Sequence, residues 1–195
     1  MKSGYNDAVL LARKKLENLS AEKVCKICGV TFDENKYIIN WCGKYYDVFA
    51  DKTDKPADYN IALEILFLHY LTSEGTKQPE NKLTAFREFP GALFYAPKFI
   101  QRAVDPLAKR FGREPAKLIE AGEKLGGIKS DESDFAVRIN ILPNLPVTYI
   151  IHEEDEEFEP EAMVLFDKTA SGWLPVEDLV VAASFGTYEL IKNYK

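Results

Sequence analysis

Phe135-Ala136-Val137-Arg138-Ile139-Asn140-Ile141-Leu142 is the stretch on which the fold turns. Phe135, Val137, Ile139 and Ile141 fall on one face, and Ala136, Arg138 and Asn140 on the other. That period of two predicts a half-buried strand. After Pro143-Asn144-Leu145-Pro146, the run Val147 to Ile151 reads as a second strand able to pair with it. Upstream, Val30 to Phe32, Tyr37 to Trp41 and Tyr45 to Phe49 are short β-branched or aromatic runs. Asp33-Glu34-Asn35 and Cys42-Gly43 separate them, so they read as a three-stranded meander.

Between these clusters the period changes to that of helices. Residues 5–19 put Ala8, Val9, Ala12, Leu16 and Leu19 on one face. Ser20 can cap a short helix that Gly29 ends. Tyr59 to Leu71 is strongly apolar. Pro97 to Phe111 reads helical with a kink or break at Pro106, and Pro115 to Leu125 is helical up to Gly126-Gly127. Glu161 to Phe166 reads as a short helix. Pro175 to Tyr194 closes the chain as a helix, with Glu177-Asp178 favouring its dipole. The class is therefore α+β: a mainly antiparallel sheet flanked by helices, with an N-terminal helix and a three-stranded meander. The 195 residues fit one domain over 1–195, the polar loop 50–57 being the best candidate boundary.

Composition narrows the function classes. A formal charge of −6 argues against nucleic acid as a partner, since phosphates need clustered Lys and Arg. The apolar run Ile61 to Leu71 is short and interrupted by Glu64 and His69, so no membrane span is expected. Three cysteines do not make a secreted disulfide scaffold, and no signal-type run opens the chain; the cytoplasm is the expected compartment.

Cys25 and Cys28, at i and i+3, read as small core residues rather than metal ligands or a redox pair. His69, on an apolar helix, reads as a satisfied, partly buried histidine. His152 ends a strand and opens Glu153-Glu154-Asp155-Glu156-Glu157, so it is a candidate acid or base. That acidic run is a solvated loop, a hard-cation site, or the partner of the basic segment 102–113. Arg87-Glu88-Phe89-Pro90-Gly91 is the strongest site candidate: a guanidinium beside aromatic surface suits a carboxylate or phosphate. The alternative pairs Arg87 with Asp155 or Glu156 as a lock on the fold. Tyr95, Phe89 and Arg102 complete the ligand-binding set as aromatic walls and a second charge. Signatures of nucleotide-binding loops, serine hydrolases and zinc proteases are missing from the sequence.

Several spaced motifs then carry a resemblance. Leu68-His69-Tyr70-Leu71-Thr72, Phe86-Arg87-Glu88-Phe89-Pro90-Gly91, Pro106-Leu107 with Phe111-Gly112, and Leu125-Gly126-Gly127 resemble the DUF3786 family of uncharacterised prokaryotic proteins. So do Leu142-Pro143 with Val147, Asp155-Glu156-Glu157-Phe158, Leu165-Phe166-Asp167 and Leu174-Pro175-Val176-Glu177-Asp178. The family pattern usually has a second Gly where this chain has Ala92, and a Pro where it has Glu159. The resemblance implies anaerobic hosts, with some relatives bearing an iron–sulfur segment and some accompanying corrinoid-dependent methyl transfer. The three cysteines here do not reproduce a four-cysteine run, so no cluster is carried over, and the cofactor is left unknown.

The expectation is a cytosolic accessory module that holds a small anionic or aromatic ligand, or a partner protein. Two alternatives stand beside it: an enzyme using an Arg/Glu/His pocket, and an oligomeric interaction protein. Whether the protein is an enzyme, and its oligomeric state, are left open at this level.

Overall fold

A computed structural model describes residues 2–49, 60–75, 77–153 and 159–195, with the side chains from residue 7 onward. Strands β1 (Thr31–Asp33), β2 (Lys36–Trp41) and β3 (Lys44–Phe49) form the expected antiparallel meander. A second antiparallel sheet has five strands among the described residues, in the order β4 (Leu83–Ala85), β8 (Glu161–Asp167), β7 (Leu145–His152), β6 (Ala136–Leu142) and β5 (Ile128–Lys129). The fold is α+β, as the sequence predicts.

The register of the larger sheet explains its core. Val137 pairs with Tyr149, and Tyr149 with Val164; Ile139 pairs with Val147, and Val147 with Phe166. Directly opposed residues share a face, so these pairs build two continuous apolar rows. Helix α6 (Ala116–Glu123) lies on that face: a Cβ at Gly122 would stand 2.3 Å from Val137 Cγ2. Helix α7 (Val176–Lys192) lies there too, where Tyr149 Oη donates to the Ala183 carbonyl at 3.1 Å.

One expected helix is a strand. Residues 161–166 belong to β8, which pairs with β4 on one side and β7 on the other. Ala162, Met163 and Leu165 are good helix formers. Two ladders of backbone hydrogen bonds outweigh that local preference, and Val164 and Phe166 turn inward while Met163 stays exposed.

The remaining helices follow their sequence signals. In α1 (Lys2–Glu17), Val9, Ala12 and Leu16 are buried. Helix α2 (Ala21–Cys28) is capped by Ser20, whose Oγ accepts from Lys23 N, and ends at Gly29 with φ +67°. Asn60 caps α3 (Ile61–Leu71) by accepting from Ala62 N and Leu63 N. The two sheets meet where Cys42 N donates to Ile141 O, and Trp41 packs edge-on against Phe67 of α3 and Phe185 of α7.

Pro106 does not break the helical run over 96–111. Helix α4 (Ala96–Phe99) passes through a π-helical turn, Ile100–Val104, into α5 (Asp105–Phe111). Asp105 N donates to Ile100 O, five residues back. The wider turn places Pro106, which has no N–H, where helical bonding can continue around it. Thr187 Oγ1 of α7 donates to the Ala103 carbonyl inside this turn at 2.9 Å, fixing α7 against it. The candidate boundary at 50–57 lies outside the described residues.

Candidate functional site

Three helical stripes converge on one cleft. Tyr95, Lys98 and Arg102 follow i, i+3, i+7 spacing along α4 and the π turn. Ala62, Ile65 and His69 do the same on α3, and Glu177, Val181, Ser184 and Tyr188 follow i, i+4, i+7, i+11 on α7. Residues at such spacings share a helix face. Asp178, Val180 and Phe185 of α7, with Ala8 and Asn60, complete the described lining of a cavity of about 890 Å³. That volume falls in the range of small-molecule sites.

The polar groups of the cleft include charges of both signs. Lys98 and Arg102 stand exposed along one wall, and neither is ion-paired or hydrogen-bonded to another described side chain. Glu177 and Asp178 lie in the first turn of α7, where the helix dipole favours negative charge. Asp178 is buried, its Oδ2 2.5 Å from Nδ1 of His69. The hydrogen bond to Asp178 raises the His69 pKa above its ordinary value, with burial opposing it. Glu177 accepts from Tyr95 Oη at 3.4 Å, and its charge raises the Tyr95 phenol. Between the walls, Ile65, Val180, Val181 and Phe185 supply an apolar floor, and Tyr188 an exposed aromatic rim.

The residues named from sequence divide. Tyr95 and Arg102 line this cleft; Arg87, Glu88, Phe89 and His152 are not among its described lining. Residues 86–88 form a turn of 3₁₀ helix, in which positions i and i+3 eclipse. Phe86 and Phe89 therefore both point inward, where they pack with Phe99 and Phe166. Arg87 and Glu88 are left facing solvent, Glu88 accepting from Thr84 Oγ1 at 2.8 Å. Phe89 is buried in the core. His152 is exposed at the end of β7, opposite Glu161. Asp155 and Glu156 lie outside the described residues, as does the pairing of Arg87 with them.

His69 is partly buried and satisfied by a partner, as its setting on an apolar helix suggests. What the sequence did not show is that the partner is Asp178, so that the pair forms a wall of the cleft. The available signals were the three stripes and Pro106, since π turns gather at functional sites.

The cysteines lie apart from the cleft. Cys28 and Cys42 are fully buried, their thiols pushed up by burial to about 11 and about 12. Cys28 Sγ donates to the Tyr70 carbonyl, and Cys25 is partly exposed. Among the described residues no cluster of His, Cys, Asp and Glu has the arrangement of a metal site, and no helix is long and apolar enough to cross a membrane.

Comparison with curated proteins found no match, and comparison with solved structures found none either. The family model described as Domain of unknown function (DUF3786) matches residues 20–188, a span that holds every polar residue described in the cleft lining. By that match the chain belongs to the DUF3786 family.

Proposed function

We propose that the protein is a binding module for a small organic anion with an apolar or aromatic body, seated in the cleft between α3, α4 and α7. The observation that carries this reading is the pairing of two uncommitted cations, Lys98 and Arg102, with the apolar floor of Ile65, Val180, Val181 and Phe185. A guanidinium and an ammonium at one end hold a carboxylate, the guanidinium in a two-pronged grip. The floor shields the rest of the molecule from water. Its ties to corrinoid and iron–sulfur systems stand on the family resemblance alone. Calorimetric titration with benzoate tests the reading. Saturable binding is expected, weakened about tenfold or more in Arg102→Ala, consistent with loss of a charged hydrogen bond. Equal binding by Arg102→Ala, or weakening by Arg87→Ala instead, contradicts it.

One observation favours a second reading, contact with another protein. Leu93 and Phe94 are 76% and 81% exposed on the turn that precedes α4. Light scattering at high concentration tests for self-association; a clean monomer that is unchanged by Phe94→Ser removes that form of the reading.

A further inference from the structure

We infer that the cleft is a proton-transfer site, in which His69 Nε2 removes a proton from the carbon beside the ketone of a bound α-keto acid and Asp178 serves as the positioning residue. This inference rests on the anion-binding reading above and gives it a chemistry.

Three observations point the same way. Asp178 Oδ2 holds His69 Nδ1 at 2.5 Å, which fixes the neutral ring in the tautomer with its proton on Nδ1. Nε2 is then the acceptor, and among the described residues it has no hydrogen-bond partner although the side chain keeps 33% of its exposure. The same cavity presents Lys98 and Arg102, the groups that would hold a carboxylate and offset charge growing on an enolate oxygen. The Ser184 hydroxyl in the same lining is engaged, donating to the Val180 carbonyl at 2.6 Å.

The step is balanced without a further reactant. The C–H bond next to the ketone breaks, the N–H bond on Nε2 forms, and the electron pair moves into the enolate held by the two cations. The imidazolium, once its proton has exchanged with water, returns one to the same carbon, so the net reaction is exchange of that carbon's hydrogen with solvent. Among the described residues, the charged and titratable groups lining the two cavities that His69 borders are Asp178, Glu177 and Tyr188 of α7, Tyr95, Lys98 and Arg102, and Lys14 and Lys15 of α1. The carboxylates favour the imidazolium, and Lys15 opposes it.

The test is exchange of hydrogen for deuterium beside the ketone of α-ketobutyrate in heavy water, followed by proton NMR. Wild-type protein is expected to exceed buffer by about a hundredfold or more, the usual scale of acid–base assistance. The rate should rise with pH as His69 loses its proton. His69→Gln should fall to the buffer rate, and Asp178→Asn should fall in rate with its pH profile displaced. Binding is measured separately with trimethylpyruvate, which has no hydrogen on that carbon. If trimethylpyruvate binds and wild-type exchange stays at the buffer rate, proton transfer is overturned and the binding reading stands. If trimethylpyruvate does not bind, both fall. Exchange unaffected by a folded His69→Gln also overturns the inference; if that variant does not fold, a flat wild-type pH profile does so.

Discussion

His69 Nδ1 lies 2.5 Å from Asp178 Oδ2, joining the last turn of α3 to the first turn of α7 across 109 residues of sequence. Each residue sits at the helix end that suits its charge, the cation at a C-terminus and the carboxylate at an N-terminus. The pair therefore ties together two of the three helical walls of the cleft. Its pH dependence has a definite sign. The Asp178 hydrogen bond raises the folded-state pKa of His69 above the unfolded value of about 6.5. Its stabilisation is fully present below that unfolded value and is lost as pH rises through the folded-state value. Urea denaturation of wild type and His69→Gln across this window should show a difference of about 1 kcal/mol on the acid side, shrinking as the medium turns alkaline. A difference that grows with pH would contradict the assignment.

Gly186 of α7 rests against Tyr149 of β7. A Cβ there would stand 1.9 Å from the Tyr149 hydroxyl and 2.6 Å from Ile141 Cδ1. Gly186→Ala should destabilise by about 2–3 kcal/mol or more, because the sheet and helix cannot separate without breaking the Tyr149 bond to Ala183. Tyr149→Phe alone should lose about 1 kcal/mol. Combined, the two changes should cost less than their sum, since the phenylalanine removes the nearest clashing atom. Thermal melts of the four proteins check this; simple additivity would place the clash elsewhere.

The three thiols should differ in reactivity. Cys28 and Cys42 are fully buried with thiols at about 11 and about 12, whereas Cys25 is partly exposed. An aromatic disulfide reagent at mildly alkaline pH should label Cys25 first in the native protein, and the other two only on unfolding. Fast native labelling of Cys42 would contradict the contact that buries it between the sheets.

Where the hydrophobic period was simple, the fold was legible. The meander and the alternation at 137, 139 and 141 read directly; in β2 every second residue is buried, and Val137, Ile139 and Ile141 of β6 all face the core. Strand β8 did not, because its sequence, Glu161-Ala162-Met163-Val164-Leu165-Phe166-Asp167, carries helix formers. Strands β4 and β5 are only three and two residues long, too short to show a period.

The site was legible in part for a different reason. Tyr95 and Arg102 were named from their charge and aromatic character, and they line the cleft. Arg87 and Glu88 were named from a dense motif whose density comes from Phe86 and Phe89 anchoring the core. His69 and Asp178 could not be linked from sequence, since only the packing of α3 against α7 brings them together.

The central claim is that the cleft takes an organic anion at Lys98 and Arg102. It is tested most directly by titrating isotope-labelled protein with benzoate and following each backbone amide by NMR. The account predicts saturable shifts concentrated at Lys98, Arg102, Val181 and Tyr188, abolished in the Lys98→Ala, Arg102→Ala double variant. Shifts centred on Arg87 and Glu88, or no saturable shift at all, would contradict it.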